Sequence, residues 1–188
     1  MQGHVDEALE CLRHALSLDP LSLIITTDIG EVLYRARRYE EAMAQLQKSL
    51  DIDPNFRVAY FWQTNIALKM GRAGEVVTAM EQALRAQGES ISVKTALAAA
   101  CAIAGETERA RLLLDQLQQT AQRDYVPPYY LAMVAAQLGE KDQAFAFLER
   151  AYQERSGWVP WLKLDPMSDP LREDVRFSDL LRRVGLKP

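Results

Sequence analysis

Ligand-forming residues are scarce in this chain of 188, which has two cysteines, Cys11 and Cys101, and two histidines, His4 and His14. The cysteines lie far apart without a paired metal-ligand spacing, which fits a reducing compartment, and the expected location is cytoplasmic. Cys11 and His14 are one helical turn apart, but with His4 they still fall short of a four-ligand zinc site. Cys101 sits in a run of alanines and reads as a small core residue. Positive charge is also in short supply: 22 Lys and Arg stand against 26 Asp and Glu, for a net charge of −4. Direct nucleic-acid binding is therefore not expected. The longest uncharged run, residues 125–139, carries two prolines and is shorter than the roughly 20 apolar residues a membrane span needs. Asp6, Glu7 and Glu10 interrupt the amino-terminal stretch, so no signal peptide is read there. Without a glycine-rich phosphate loop, a nucleophile-base pair or a ligand set, no cofactor, metal, membrane contact or enzymatic activity is assigned.

What the chain does have is a repeat. The segments Gly3-His4-Val5-Asp6-Glu7-Ala8 and Arg37-Arg38-Tyr39-Glu40-Glu41-Ala42 lie 34 residues apart, and the register continues through Ala8, Ala42, Val76, Ala110 and Ala144. Four residues beyond each anchor stand Leu12, Leu46, Met80, Leu114 and Leu148, one face of a helix written five times. Five before each anchor stand Gly3, Arg37, Gly71, Gly105 and Gly139, where glycine supplies the left-handed conformation that ends one helix before the next. Twelve before, in the preceding helix, Gly30, Thr64, Ala98 and Ala132 are all small and allow close helix approach. Pro20 and Pro54 follow Asp19 and Asp53 where second helices should stop. Helices are predicted near residues 5–18, 22–35, 39–52, 56–70, 73–87, 91–104, 107–122, 127–138 and 141–154.

These features resemble the tetratricopeptide repeat, a helix-turn-helix unit of about 34 residues. The resemblance implies an all-α fold, a right-handed α-α superhelix, with residues 1–156 forming the array: the second helix of a truncated repeat followed by four hairpins. By register Met1 falls inside a repeat, which reads as an internal boundary of a longer protein. Residues 157–188 are expected to form a capping tail with short helices. Asp165-Pro166 and Asp169-Pro170 look like helix starts, and Phe177, Leu180, Leu181 and Val184 share one face of a closing helix. Trp158, Trp161 and Leu164 are expected to be buried with them.

The tail is similar to the one that ends tetratricopeptide arrays in bacterial multidomain regulators, including winged-helix activators, serine/threonine kinases and nucleotide cyclases. That resemblance implies the terminal sensory or interaction part of such a regulator. The family lines its inner face with first-helix positions, which here include Ile24, Thr27, Glu31, Tyr34 and Arg35, then Val58, Phe61, Asn65, Leu68 and Lys69, and later Tyr129, Met133 and Gln137. Of these, Glu31, Arg35, Phe61, Asn65, Lys69, Tyr129 and Met133 are the candidate peptide-binding residues, with a protein or peptide partner in a helix-in-groove mode. Equally, the tail or simple repeat packing covers the same positions. The family's clamp for a terminal carboxylate needs paired Lys and Asn sets, and Asn65 with Lys69 supplies one alone. The expected function is a protein-protein interaction module. The alternative is a homo-oligomerisation scaffold, a homodimer through Leu12 and Leu16 of the first helix, and an enzyme with an unrecognised site is the third reading.

Overall fold

The computed structural model describes residues 2–88 and 90–187, and all regular structure among them is helical. It falls into two compact units, Met1–Gly71 and Arg72–Pro188. Each helix predicted from the repeat forms, with ends displaced by no more than three residues. Among the described residues no helix is long and apolar enough to cross a membrane.

The first unit contains α1 (Gln2–Leu18), α2 (Leu23–Arg35), α3 (Tyr39–Ile52) and α4 (Arg57–Lys69). Here α2 and α3 form a hairpin, with α1 against α2 and α4 against both α2 and α3. The turn between α2 and α3 is set by Arg37, which takes the left-handed conformation at φ 62° where the other repeats use glycine. Its two hydrogen bonds, Arg37 N–H to Tyr34 O and Arg38 N–H to Leu33 O, both 2.9 Å, make the reversal a Schellman motif. Gly3, by contrast, lies within α1 and ends no helix. Across the hairpin, Leu46 is fully buried and packs into the space that Gly30 leaves by lacking a Cβ. Among the described side chains of α1 the buried one is Leu9, whereas Leu12, Ala15 and Leu16 are half-buried.

The second unit contains α5 (Ala73–Gln87), α6 (Ile91–Ile103), α7 (Thr107–Thr120), α8 (Pro128–Gln137) and α9 (Lys141–Gln153). It closes with 3-10 turns at Val159–Trp161 and Pro166–Leu171 and with α10 (Val175–Arg183). The pairs α6–α7 and α8–α9 are hairpins whose buried cores place Ala98 and Leu114, and Ala132 and Leu148, at the repeat's small and large positions. Cys101 is fully buried here, as its alanine-rich setting implies, and burial pushes its thiol up to about 11.

Residues after α9 turn back onto α8 and α9. Arg155 at φ 53° makes the reversal, and Ser156 N–H donates to Ala151 O at 2.9 Å. Val159 and Leu162 are buried, while Trp161 and Leu164 are exposed (45% and 36%). The expectation that the latter two are buried is corrected: side chains three apart share a face of a 3-10 turn, Val159 with Leu162 and Trp161 with Leu164, and the first of these faces is the one turned inward. The second Asp-Pro pair is corrected as well. Asp165 does cap its turn, accepting from Met167 N–H at 2.9 Å, but Pro170 lies inside that turn and α10 is capped by Asp174. Phe177, Leu180 and Leu181 are buried on one face of α10. Arg176 and Arg183 straddle that face, reaching Asp142 (2.7 Å) and Glu149 (2.8 Å) of α9 and lying over the rings of Phe145 and Tyr152.

Candidate interaction face

The positions expected to line an inner face separate into two chemically different sets. In the first unit, α2 and α4 pack side by side and present stripes at helical spacing, Ile24, Asp28, Glu31 and Arg35 on α2, and Val58, Phe61, Asn65 and Lys69 on α4. Their floor is aromatic. Trp62 is buried, with the Tyr34 ring at 5.5 Å and the Phe61 ring edge-on at 5.0 Å. Tyr34, Thr27 and Leu68 are therefore core residues and not part of an accessible surface.

Arg35 lies over Trp62, 5.5 Å from its ring centroid, with little of its side chain exposed. Both its Nε and a terminal nitrogen donate to Glu31 Oε1, at 2.9 and 2.7 Å. A guanidinium held by a carboxylate and an aromatic plane is a fixed part of the floor. The Asn65 amide donates to Phe61 O of its own helix at 2.9 Å, which turns that donor inward along α4. Lys69 is half-buried at the last turn of α4. The rim is apolar: Ile24 and Val58, one repeat apart, are 55% and 42% exposed, and Phe61, in ring contact with Trp62, is half-exposed.

Asp28 went unread from the sequence although it belongs to the same stripe. It is half-buried, and desolvation raises its carboxyl above the usual carboxylate range. No hydrogen bond or ion pair joins its side chain to another described residue. The spacing 24, 28, 31, 35 was the signal that could have found it.

In the second unit the equivalent positions are taken. Tyr129 and Met133 are buried. The Tyr129 hydroxyl donates to Asp165 Oδ2 at 2.7 Å, its ring stacks against Trp158 at 6.3 Å, and Gln137 Nε2 donates to Met167 O at 2.7 Å. The tail thus lies on α8 through side chains that the sequence assigned to a ligand. Burial and the neighbouring Asp165 charge raise the Tyr130 hydroxyl to about 12, and the Trp158 ring lies 5.6 Å from the Tyr130 ring. Leu12 and Leu16, the candidate self-association residues, are half-buried on α1, and Leu18 after them is 76% exposed. Among the described residues no three His, Cys, Asp or Glu side chains gather in a metal-holding cluster.

The repeat of small and large positions, the Schellman reversals and the side-by-side first helices all belong to one architecture. Residues 2–55 match the family model of the tetratricopeptide repeat. The fold class is the all-α, α-α superhelix of tetratricopeptide proteins, and the chain is similar to a tetratricopeptide repeat protein from Parabacteroides merdae, with a TM-score of 0.64 at 16% identity over 98% of this chain and 72% of that one. It also resembles YrrB, described as a tetratricopeptide protein with an unusual peptide-binding site, with a TM-score of 0.49 at 18% identity, covering 93% and 91% of the two chains. Among curated proteins it is 25% identical over 92 residues to the Protein STIP1 homolog of Dictyostelium discoideum. The aligned part is 49% of this chain and 16% of that relative, so the chain spans a small share of the relative's length.

Proposed function

We propose that this tetratricopeptide chain is a cytoplasmic protein-protein interaction module that takes a partner segment on the α2–α4 face. The observation that carries the reading is the exposure of Ile24 and Val58 at matching places in successive repeats, beside half-exposed Phe61. Large apolar side chains spaced one repeat apart above an aromatic floor suit an apolar partner helix or strand more than water. Tyr129 and Met133 join this reading as the seat of the tail, leaving Glu31, Arg35, Phe61, Asn65 and Lys69 for the partner. Peptide ligands selected against the full chain should lose about tenfold or more in affinity with Ile24→Ser or Phe61→Ala while helicity is retained. Ligands indifferent to both substitutions but sensitive to changes on α3 would place the site elsewhere.

We also read the array as the interaction part of a larger bacterial regulator, on the likeness of its tail to those that end such arrays. Reading the coding sequence beyond this segment tests that placement, and the absence of any DNA-binding, kinase or cyclase segment would overturn it. Catalysis has no part in this reading. Turnover of ATP, esters or peptides by the purified chain, abolished by a single substitution, would refute it. A second reading, a homodimer through α1, is favoured by one observation: Leu12, Leu16 and Leu18 keep apolar surface on the same helix.

A further inference from the structure

We propose that the α2–α4 face selects partner segments that carry a lysine or arginine among apolar residues, and that Asp28 is the group that reads the cation. This rests on the reading of that face as the docking surface and names the chemistry of what docks. A partner that covers Ile24, Val58 and Phe61 must also cover Asp28, because Ile24 and Asp28 are one turn apart on α2, which packs beside α4. The Asp28 carboxylate is already half-buried and has no hydrogen-bond or ion-pair partner among the described residues. Removing its remaining water without a donor carries a desolvation penalty that an apolar contact does not offset.

The other charges on the two helices do not fill that role. Arg35 is bound to Glu31 through two nitrogens and is held over Trp62, a full two turns further along α2. Lys69 lies at the far end of α4, in its last turn, and Arg57 at its first position. A cationic side chain from the partner satisfies Asp28, whereas an acidic or wholly apolar one leaves it buried and unpaired. Selection therefore comes as much from the penalty on wrong partners as from attraction to the right one.

The test uses two labelled synthetic amphipathic helices, one of leucine and lysine and a twin with glutamate at every lysine, titrated with the full chain by fluorescence anisotropy. The lysine probe should bind about tenfold more tightly than its twin, the scale of one charge-assisted contact. Asp28→Asn, nearly isosteric, should erase most of that preference, and Asp28→Lys should reverse it, with circular dichroism reporting the fold. The protein's net charge of −4 attracts any cation, so Asp115→Lys, at an exposed position of α7, supplies the same change in net charge as Asp28→Lys and should leave the preference intact. A preference that survives in both Asp28 variants, or that Asp115→Lys removes equally, overturns the inference. Should Phe61→Ala weaken both probes while the Asp28 variants keep the preference, the docking face stands and the cation selection falls. Should neither probe bind, or both ignore Phe61→Ala and Ile24→Ser, the docking face falls with it.

Discussion

A Cβ atom at Gly30 would stand 2.7 Å from Leu46 Cδ2 and 2.8 Å from Cγ, closer than side chains approach. Alanine there would gain about 1 kcal/mol of helix propensity but press on a fully buried leucine, and overpacking of this kind costs about 1–3 kcal/mol. The clash outweighs the gain in propensity, so Gly30→Ala should lower the urea midpoint. In the Leu46→Ala background the same substitution should be neutral or stabilising, because the obstructing atoms are gone. Equal effects in both backgrounds would show that the two residues do not share this contact. Arg37 offers the opposite case. At φ 62° it holds a conformation that costs an L-residue about 1 kcal/mol or more and costs glycine little. Arg37→Gly should be neutral or stabilising by up to about 1 kcal/mol in thermal unfolding, since glycine's extra freedom in the unfolded chain offsets part of the relief. A clear loss would mean that contacts of the arginine side chain outweigh the strain.

At the scale of elements, the helices were legible because each carries its own instructions: an apolar stripe, a small residue at the close contact and a left-handed stop. The tail was less so, because 3-10 turns have a period of three and little intrinsic stability, and packing against α8 and α9 decides which side chains turn inward. Trp161 and Leu164 show this, being apolar yet exposed while Val159 and Leu162 carry the burial. The start of α10 depends on Asp174, which accepts from the backbone N–H of Arg176 at 3.0 Å and from its guanidinium. Those bonds hold the Asp174 carboxyl down at about 2. A depressed carboxyl contributes stability above its unfolded pKa of about 3.9 and loses it as the pH falls toward the folded value. The Tm difference between native chain and Asp174→Asn should therefore be present near neutral pH and shrink between about pH 4 and pH 2. A difference that does not change with pH would remove Asp174 as the titrating group.

For the whole molecule, the two functional readings differ in what they demand of concentration. A dimer through α1 must offset the cost of association with a few half-buried leucines, each worth at most about 1.5–3 kcal/mol, so it would be weak. Sedimentation over a range of concentrations should show reversible dimers that Leu12→Glu abolishes without loss of helicity. A monomer at every concentration, or dimers untouched by a folded Leu12→Glu, rules that interface out. Partner binding on the α2–α4 face requires no such self-association, and the two can be measured independently. The sequence by itself determined the helices, their order and the positions of close contact, because helical periodicity, capping and small-residue placement act within a few residues of one another. Only the tertiary structure decided which first-helix positions remain available. Tyr129 and Phe61 occupy the same place in the repeat, yet Tyr129 is sealed by Trp158 and Asp165 from beyond α9 while Phe61 stays half-exposed. The difference depends on chain that comes about thirty residues later, and exposure is a property of everything that packs on a side chain, so no local pattern records it.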